Sequence, residues 1–229
     1  MIDKPNLSES EIQQNYEEFL EILPKHFKGE RLKKLEKMYG EDAFGSELAT
    51  APASMCSHYH NCFPGGYLLH INNVLNGAFV QKKAYEMMGA NMDFTDEELA
   101  FAAIHHDLGK LGSPGEGTYY LPQDEDWKSR KGELYKMNPN IQYVEVPQRA
   151  IFNLQYYGIK ITLKESLGIL LSDGMYSEAS QKYLKTFNKD MYLRSNLPRI
   201  VHAADYMATR GEFDRFMSGV SNDLFNPTS

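Results

Sequence analysis

Cysteine is scarce. Cys56 and Cys62 are the only two in 229 residues, so the chain is no disulfide scaffold, and a reduced pair in the cytoplasm is expected for a chain of this size. Their Cys-x5-Cys spacing matches no common zinc pattern. No apolar run approaches the roughly 18 to 20 residues that span a bilayer, and the polar first residues lack the apolar core of a signal peptide, so no membrane is expected. Cationic excess is also missing. A net charge of −7 disfavours a protein that coats extended nucleic acid and leaves room for a single nucleotide in a local pocket. The 17 glycines and 10 prolines are too few and too scattered for a low-complexity chain. Alternating apolar and polar runs, the mark of half-buried strands, are nearly absent. Between His106 and His202 the sequence holds no histidine.

Helical periodicity is abundant. Ser8 and Glu11 form a capping box ahead of Ile12, Tyr16, Phe19, Leu20 and Leu23, with Pro24 near that helix's end. A second helix carries Leu32, Leu35, Met38 and Tyr39, and Gly40 stops it. Residues 1–44 thus read as a helical cap, packed on the core or serving as an oligomer contact. Residues 45–66 lack a period and contain Pro52, Pro64, Gly65 and Gly66, so a loop is expected. Helical spacing resumes from Gly66 to about Met88. Thr95 and Glu98 make a second capping box, and Leu99, Ala102, Ala103 and Ile104 lead to His106-Asp107. Residues 112–146 form a polar, aromatic insert, with Tyr119-Tyr120-Leu121 and Ile141-Gln142-Tyr143-Val144 expected to pair as a short ribbon. Pro147 opens the next helix, Thr162 and Glu165 form a third capping box, and Pro198 begins a last core helix ending near Arg210. Beyond it, residues 213–229 read as a polar tail. The expected fold is all-α, a helical bundle over residues 45–212 with a mostly irregular insert.

The stretch Ile104-His105-His106-Asp107-Leu108-Gly109-Lys110 sets an imidazole beside a carboxylate at the end of an apolar helix. Adjacent helical residues point about 100° apart, so both reach one ion only if it lies beyond the helix end, where the Gly109 turn clears space. His70 and Asp205, each on its own helix, supply two further candidate ligands. This His…His-Asp…Asp order, with the Leu-Gly-Lys tail, resembles the HD superfamily of metal-dependent phosphohydrolases. The His-rich loop His58-Tyr59-His60-Asn61 and the element Gly65-Gly66-Tyr67-Leu68-Leu69-His70 are similar to the branch containing 3′→5′ exoribonucleases. Tyr67, Leu69 and Ile71 depart from that branch, and its nucleic-acid-binding barrel is not expected here, because nothing before residue 45 reads as strands. A later segment, Ile169 to Tyr176, resembles one that often carries a histidine where this chain has Ser172.

The resemblance implies an HD-domain helical bundle with one divalent ion on His70, His106, Asp107 and Asp205. Two imidazoles and two carboxylates suit Mn²⁺, Fe²⁺, Co²⁺, Ni²⁺, Zn²⁺ or Mg²⁺. Asp107 is also a candidate to orient a metal-bound water, and Lys110 to neutralise phosphate charge; the alternative for Lys110 is a helix C-terminal cation. His202 reads as a second-layer partner or a packed residue, and His105 likewise. Tyr119, Tyr120, Trp127, Arg130 and Lys131 are candidates to stack a base and hold phosphate. The expected activity is phosphohydrolysis of a nucleotide or related phosphate ester. The alternatives are a phosphodiesterase or exonuclease on cyclic nucleotides or short RNA, a di-iron oxygenase disfavoured by the missing histidines, and a non-catalytic nucleotide sensor. A homo-oligomer stays open.

Overall fold

A computed structural model describes residues 7–218. Its helices are α1 (Glu9–His26), α2 (Gly29–Met38), α3 (Gly45–Thr50), α4 (Gly66–Met87), α5 (Asp96–His105), α6 (Asp126–Arg130), α7 (Val146–Tyr156), α8 (Leu163–Leu170), α9 (Glu178–Lys185) and α10 (Leu197–Ser218). Short 3₁₀ turns cover Leu108–Leu111 and Gly174–Tyr176. The fold is all-α with a small β-ribbon in the insert.

All three capping boxes form: Ser8 with Glu11, Thr95 with Glu98 and Thr162 with Glu165 each exchange both bonds. They satisfy amides that a helix start otherwise leaves without partners. Pro24 lies inside α1, which continues to His26. The expected loop over residues 45–66 contains the short helix α3. Its six residues are too few to show a period, and Pro52 follows directly.

The N-terminal helices belong to the main core. Phe19, Leu23, Phe27, Leu35 and Tyr39 join one buried cluster with Leu68, Ile71 and Val74 of α4 and Leu99, Phe101 and Ala103 of α5. Arg31 ties α2 to α8 through the buried Glu165 carboxylate, 2.7 Å away, and lies 4.6 Å over the Phe101 ring. The longest packing seam runs between α4 and α10, while α5 and α8 pack on each other and flank it.

The insert does carry a ribbon, with a different partner from the one expected. β1 (Tyr120–Pro122) pairs antiparallel with β2 (Tyr135–Met137), Tyr120 opposite Met137, and α6 lies between them. The backbone amides of Leu134 and Tyr135 donate to the Met55 carbonyl, at 2.9 and 3.1 Å. That long-range tether fixes which strand β1 meets. α10 also runs past the expected end near Arg210, as far as Ser218. Of the expected tail, residues 219–229 lie outside the described residues. Among the described residues no helix is long and apolar enough to cross a membrane, and no disulfide joins Cys56 to Cys62.

Candidate metal centre

Three helices deliver the four candidate ligands. His70 sits in the first turns of α4, a helix that starts where Gly65 adopts φ 82° and Gly66 packs against the Asn61 carbonyl; a Cβ on Gly66 would lie 2.1 Å from that oxygen. His106 caps the C-terminus of α5, Asp107 follows it, and Asp205 lies mid-way along α10. Their atoms converge. His70 Nε2 is 3.3 Å from Asp205 Oδ1 and 3.6 Å from Asp107 Oδ2. His106 Nε2 is 3.5 Å from Asp107 Oδ2 and 3.8 Å from Asp205 Oδ1.

Gly109 works differently from the helix stop expected of it. The chain turns there without a left-handed residue, and the 3₁₀ turn packs against the start of α7. A Cβ at Gly109 would stand 2.2 Å from the Val146 carbonyl oxygen. Only glycine allows that approach.

The donor set fits a cation. His106 Nδ1 donates to the Ala103 carbonyl at 2.8 Å, which leaves the Nε2 lone pair facing the cluster. Both Nε2 atoms, on His70 and His106, are buried and face only carboxylate oxygens, at 3.3 to 3.8 Å and without a well-formed hydrogen bond; a shared ion would satisfy both sides. Burial alone would lower the His70 pKa, but the Glu212 and Asp205 carboxylates outweigh it and raise it to about 10. The carboxylates that favour a proton on this ring would equally favour a cation in its place. Burial pushes the Asp205 and Asp107 carboxyls up, while the histidines and Lys110 pull both below the ordinary range. His70, His106 and Asp205 bring one ligand atom each within 4.8 Å of one another; Asp107 is outside that group, with its Oδ2 taken up by Lys110 at 2.6 Å.

The centre is open on one side. The histidine side chains are 0 and 1% exposed, whereas Asp205 is 23% exposed. Lys110 sits beside Asp107. Its Nζ donates to Asp107 Oδ2 at 2.6 Å and to the Ala53 carbonyl at 2.8 Å; burial works against its charge, and Asp107 more than restores it.

The remaining candidates divide. Tyr119 and Tyr120 lie in the electrostatic reach of Lys110 and Asp107. Trp127, Arg130 and Lys131 sit on α6, where Trp127 donates to Glu125 and Lys131 lies 4.9 Å over the indole. No hydrogen bond, ion pair or ring contact among the described residues links these three to the converging ligands. His202 Nδ1 donates to the Ser172 carbonyl at 2.9 Å, and its ring packs on Gly174. His105 is a core residue, its Nδ1 donating to the Phe101 carbonyl at 2.6 Å.

No protein-family model, curated protein or solved structure matches the chain. The case for the site is therefore its own geometry.

Three further residues lie near the centre, to which the sequence patterns assign no role, although His60 and Asp173 fall in the two segments that carry the resemblance. Glu212 lies on α10 beyond the expected helix end, with its carboxylate 3.1 Å from His70 Nδ1; burial raises its pKa, and His70 lowers it by more. His60 packs against His70 with the rings tilted and their centroids 4.7 Å apart, and burial drops its pKa to about 3. Asp173 follows Ser172; burial and then Asp107 raise its pKa. For Glu212 a signal exists. It lies two helical turns from Asp205, on the same face.

Proposed function

We propose that the chain is a metal-dependent phosphohydrolase of the HD type, acting on a nucleotide or related phosphate ester. The observation that carries this reading is the convergence of His70, His106, Asp107 and Asp205, two of them with buried nitrogens that face only carboxylate oxygens. A divalent ion held there supplies a water of lowered pKa and polarises a phosphoryl oxygen. Asp107, buried beside Lys110, would accept a hydrogen bond from the attacking water and so aim it at phosphorus. Lys110 keeps its charge through Asp107 and offers an ammonium to the phosphoryl oxygens as negative charge grows on them. Tyr119 and Tyr120 offer ring faces beside that cation. In such a hydrolysis the water oxygen would bond to phosphorus as the P–O ester bond breaks, and the proton given up by the water would pass to the departing ester oxygen.

A panel of nucleotides, cyclic dinucleotides and oligonucleotides with Mn²⁺, Co²⁺, Ni²⁺ and Mg²⁺, read by product chromatography, tests the reading. Metal-dependent release of phosphate, pyrophosphate or triphosphate is expected, and its loss in Asp107→Ala. Binding without turnover across the whole panel would make the protein a sensor instead.

One observation favours a second reading, phosphodiester cleavage in short strands. Residues 174–194, which begin with Gly174 against His202 of α10, leave Tyr176, Phe187, Met191 and Tyr192 exposed. In the same segment Lys182, Lys185, Lys189 and Arg194 make no ion pair among the described residues. Rings interleaved with cations that no carboxylate neutralises suit a single strand better than one nucleotide. Rates that climb with oligomer length from 2-mers to 10-mers would select this reading; flat rates would select the mononucleotide.

A further inference from the structure

The His70 imidazole meets a carboxylate at both nitrogens, and both carboxylates come from α10. Asp205 faces Nε2, while Glu212, two turns later on the same face, faces Nδ1 at 3.1 and 3.3 Å. Glu212 is 2% exposed. Its Oε1 also accepts from Asn73 Nδ2 at 2.8 Å, and Asn73 lies one turn beyond His70 on α4. A carboxylate buried this deeply is costly unless it is paired and hydrogen-bonded, and its partners here are one proposed ligand and that ligand's neighbour.

We propose that Glu212 is the positioning residue of the metal centre. By accepting the Nδ1 proton of His70 it fixes the ring so that Nε2 presents its lone pair to the space shared by His106, Asp107 and Asp205. The inference rests on the metal-centre reading given above. It also assigns the far end of α10 a role, since one helix then supplies a ligand and holds another.

The same atoms allow a rival. His60, His70 and Glu212 can each bring a ligand atom within 4.8 Å of the others, as a second cation site would require. A neutral imidazole has one lone pair and one proton. If His70 uses Nε2 for the first ion, Nδ1 carries the proton and has only a hydrogen bond to give. The second site would need His70 stripped of both protons and shared between two ions. His60, whose ring is tilted 37° against that of His70 with the centroids 4.7 Å apart, then packs beside the Glu212–His70 pair.

The test uses the full chain with Glu212→Gln, Glu212→Leu and His70→Ala, titrated with Co²⁺ against a competing chelator and followed by visible absorption. The wild-type protein should bind one ion. Glu212→Gln should weaken binding about 10- to 100-fold, the usual cost of removing a partner behind a metal-bound histidine. The absorption band of the loaded variant should keep its shape, because the four ligands are unchanged. Glu212→Leu should weaken binding further, and if that variant does not fold, Glu212→Gln decides alone. In the His70→Ala background, Glu212→Gln should add nothing, since it acts only through that ring. Unchanged affinity in Glu212→Gln overturns the proposal, as does a full additive loss in the His70→Ala background. Two ions in the wild type, one of them lost in Glu212→Gln, would make Glu212 a ligand. If the wild type binds no Co²⁺, the metal-centre reading fails first and takes this inference with it.

Discussion

At the scale of single residues, two histidines that stand side by side in the sequence do opposite things. His106 turns its free nitrogen into the ligand cluster. His105 packs among Phe27, Tyr39 and Phe101, and burial drops its pKa to about 3. In the unfolded chain it titrates near its ordinary value of about 6.5. Below that pH the unfolded state binds a proton that the folded state refuses. Stability from this residue is thus complete above pH 6.5 and is lost as pH falls toward 3, by up to about 1.4 kcal/mol per unit. His105→Leu should flatten the fall in urea midpoint between pH 7 and 5 relative to wild type; parallel profiles would show that His105 is not the titrating group. Lys110→Met should cost kcat on the order of 10²-fold with little change in KM, because the charge it meets develops in the transition state. Near-normal kcat would leave the electrostatic work to the ion. Gly109→Ala should cost about 1–3 kcal/mol by overpacking, measured by chemical denaturation, since its Cβ has nowhere to go beside the Val146 carbonyl. The need for glycine at 109 was visible in the sequence, but its cause was not. The blocking oxygen belongs to a helix that begins well downstream, and no local pattern announces such a contact.

At the scale of elements, the insert is fastened rather than free. Arg149 of α7 is buried; its guanidinium donates from Nη1 to Ser113 Oγ at 2.5 Å and from Nη2 to the Gln142 carbonyl. One side chain thereby pins both ends of the segment that brings Tyr119 and Tyr120 to Lys110. Arg149→Met should leave the far-ultraviolet circular dichroism intact, speed proteolytic nicking between residues 113 and 145, and raise KM. Unchanged cleavage rates would return the fastening to the ribbon itself. Helices with a capping box and a full apolar period were legible from sequence, because both signals are local. The ribbon partner was not, since it depends on the tether to Met55 across more than sixty positions of chain. The end of α10 was missed for another reason. Gly211 and the charged residues around it look like a fading terminus until the buried surface that holds Glu212 is seen.

At the scale of the whole molecule, the candidate centre draws on both halves of the chain: α4 and α5 from the first, α10 from the last. An ion seated there would bind only the folded arrangement, because the unfolded chain does not hold these four side chains together. Folding and metal occupancy then become one equilibrium. Each tenfold rise in free ion above its dissociation constant should add about 1.4 kcal/mol of stability, visible as a steady climb of Tm with the logarithm of added metal and as its loss on chelation. A Tm indifferent to metal would disconnect the centre from the fold. Otherwise the abundance of folded protein would follow the supply of metal around it, and starvation for the ion would remove the protein as well as its activity.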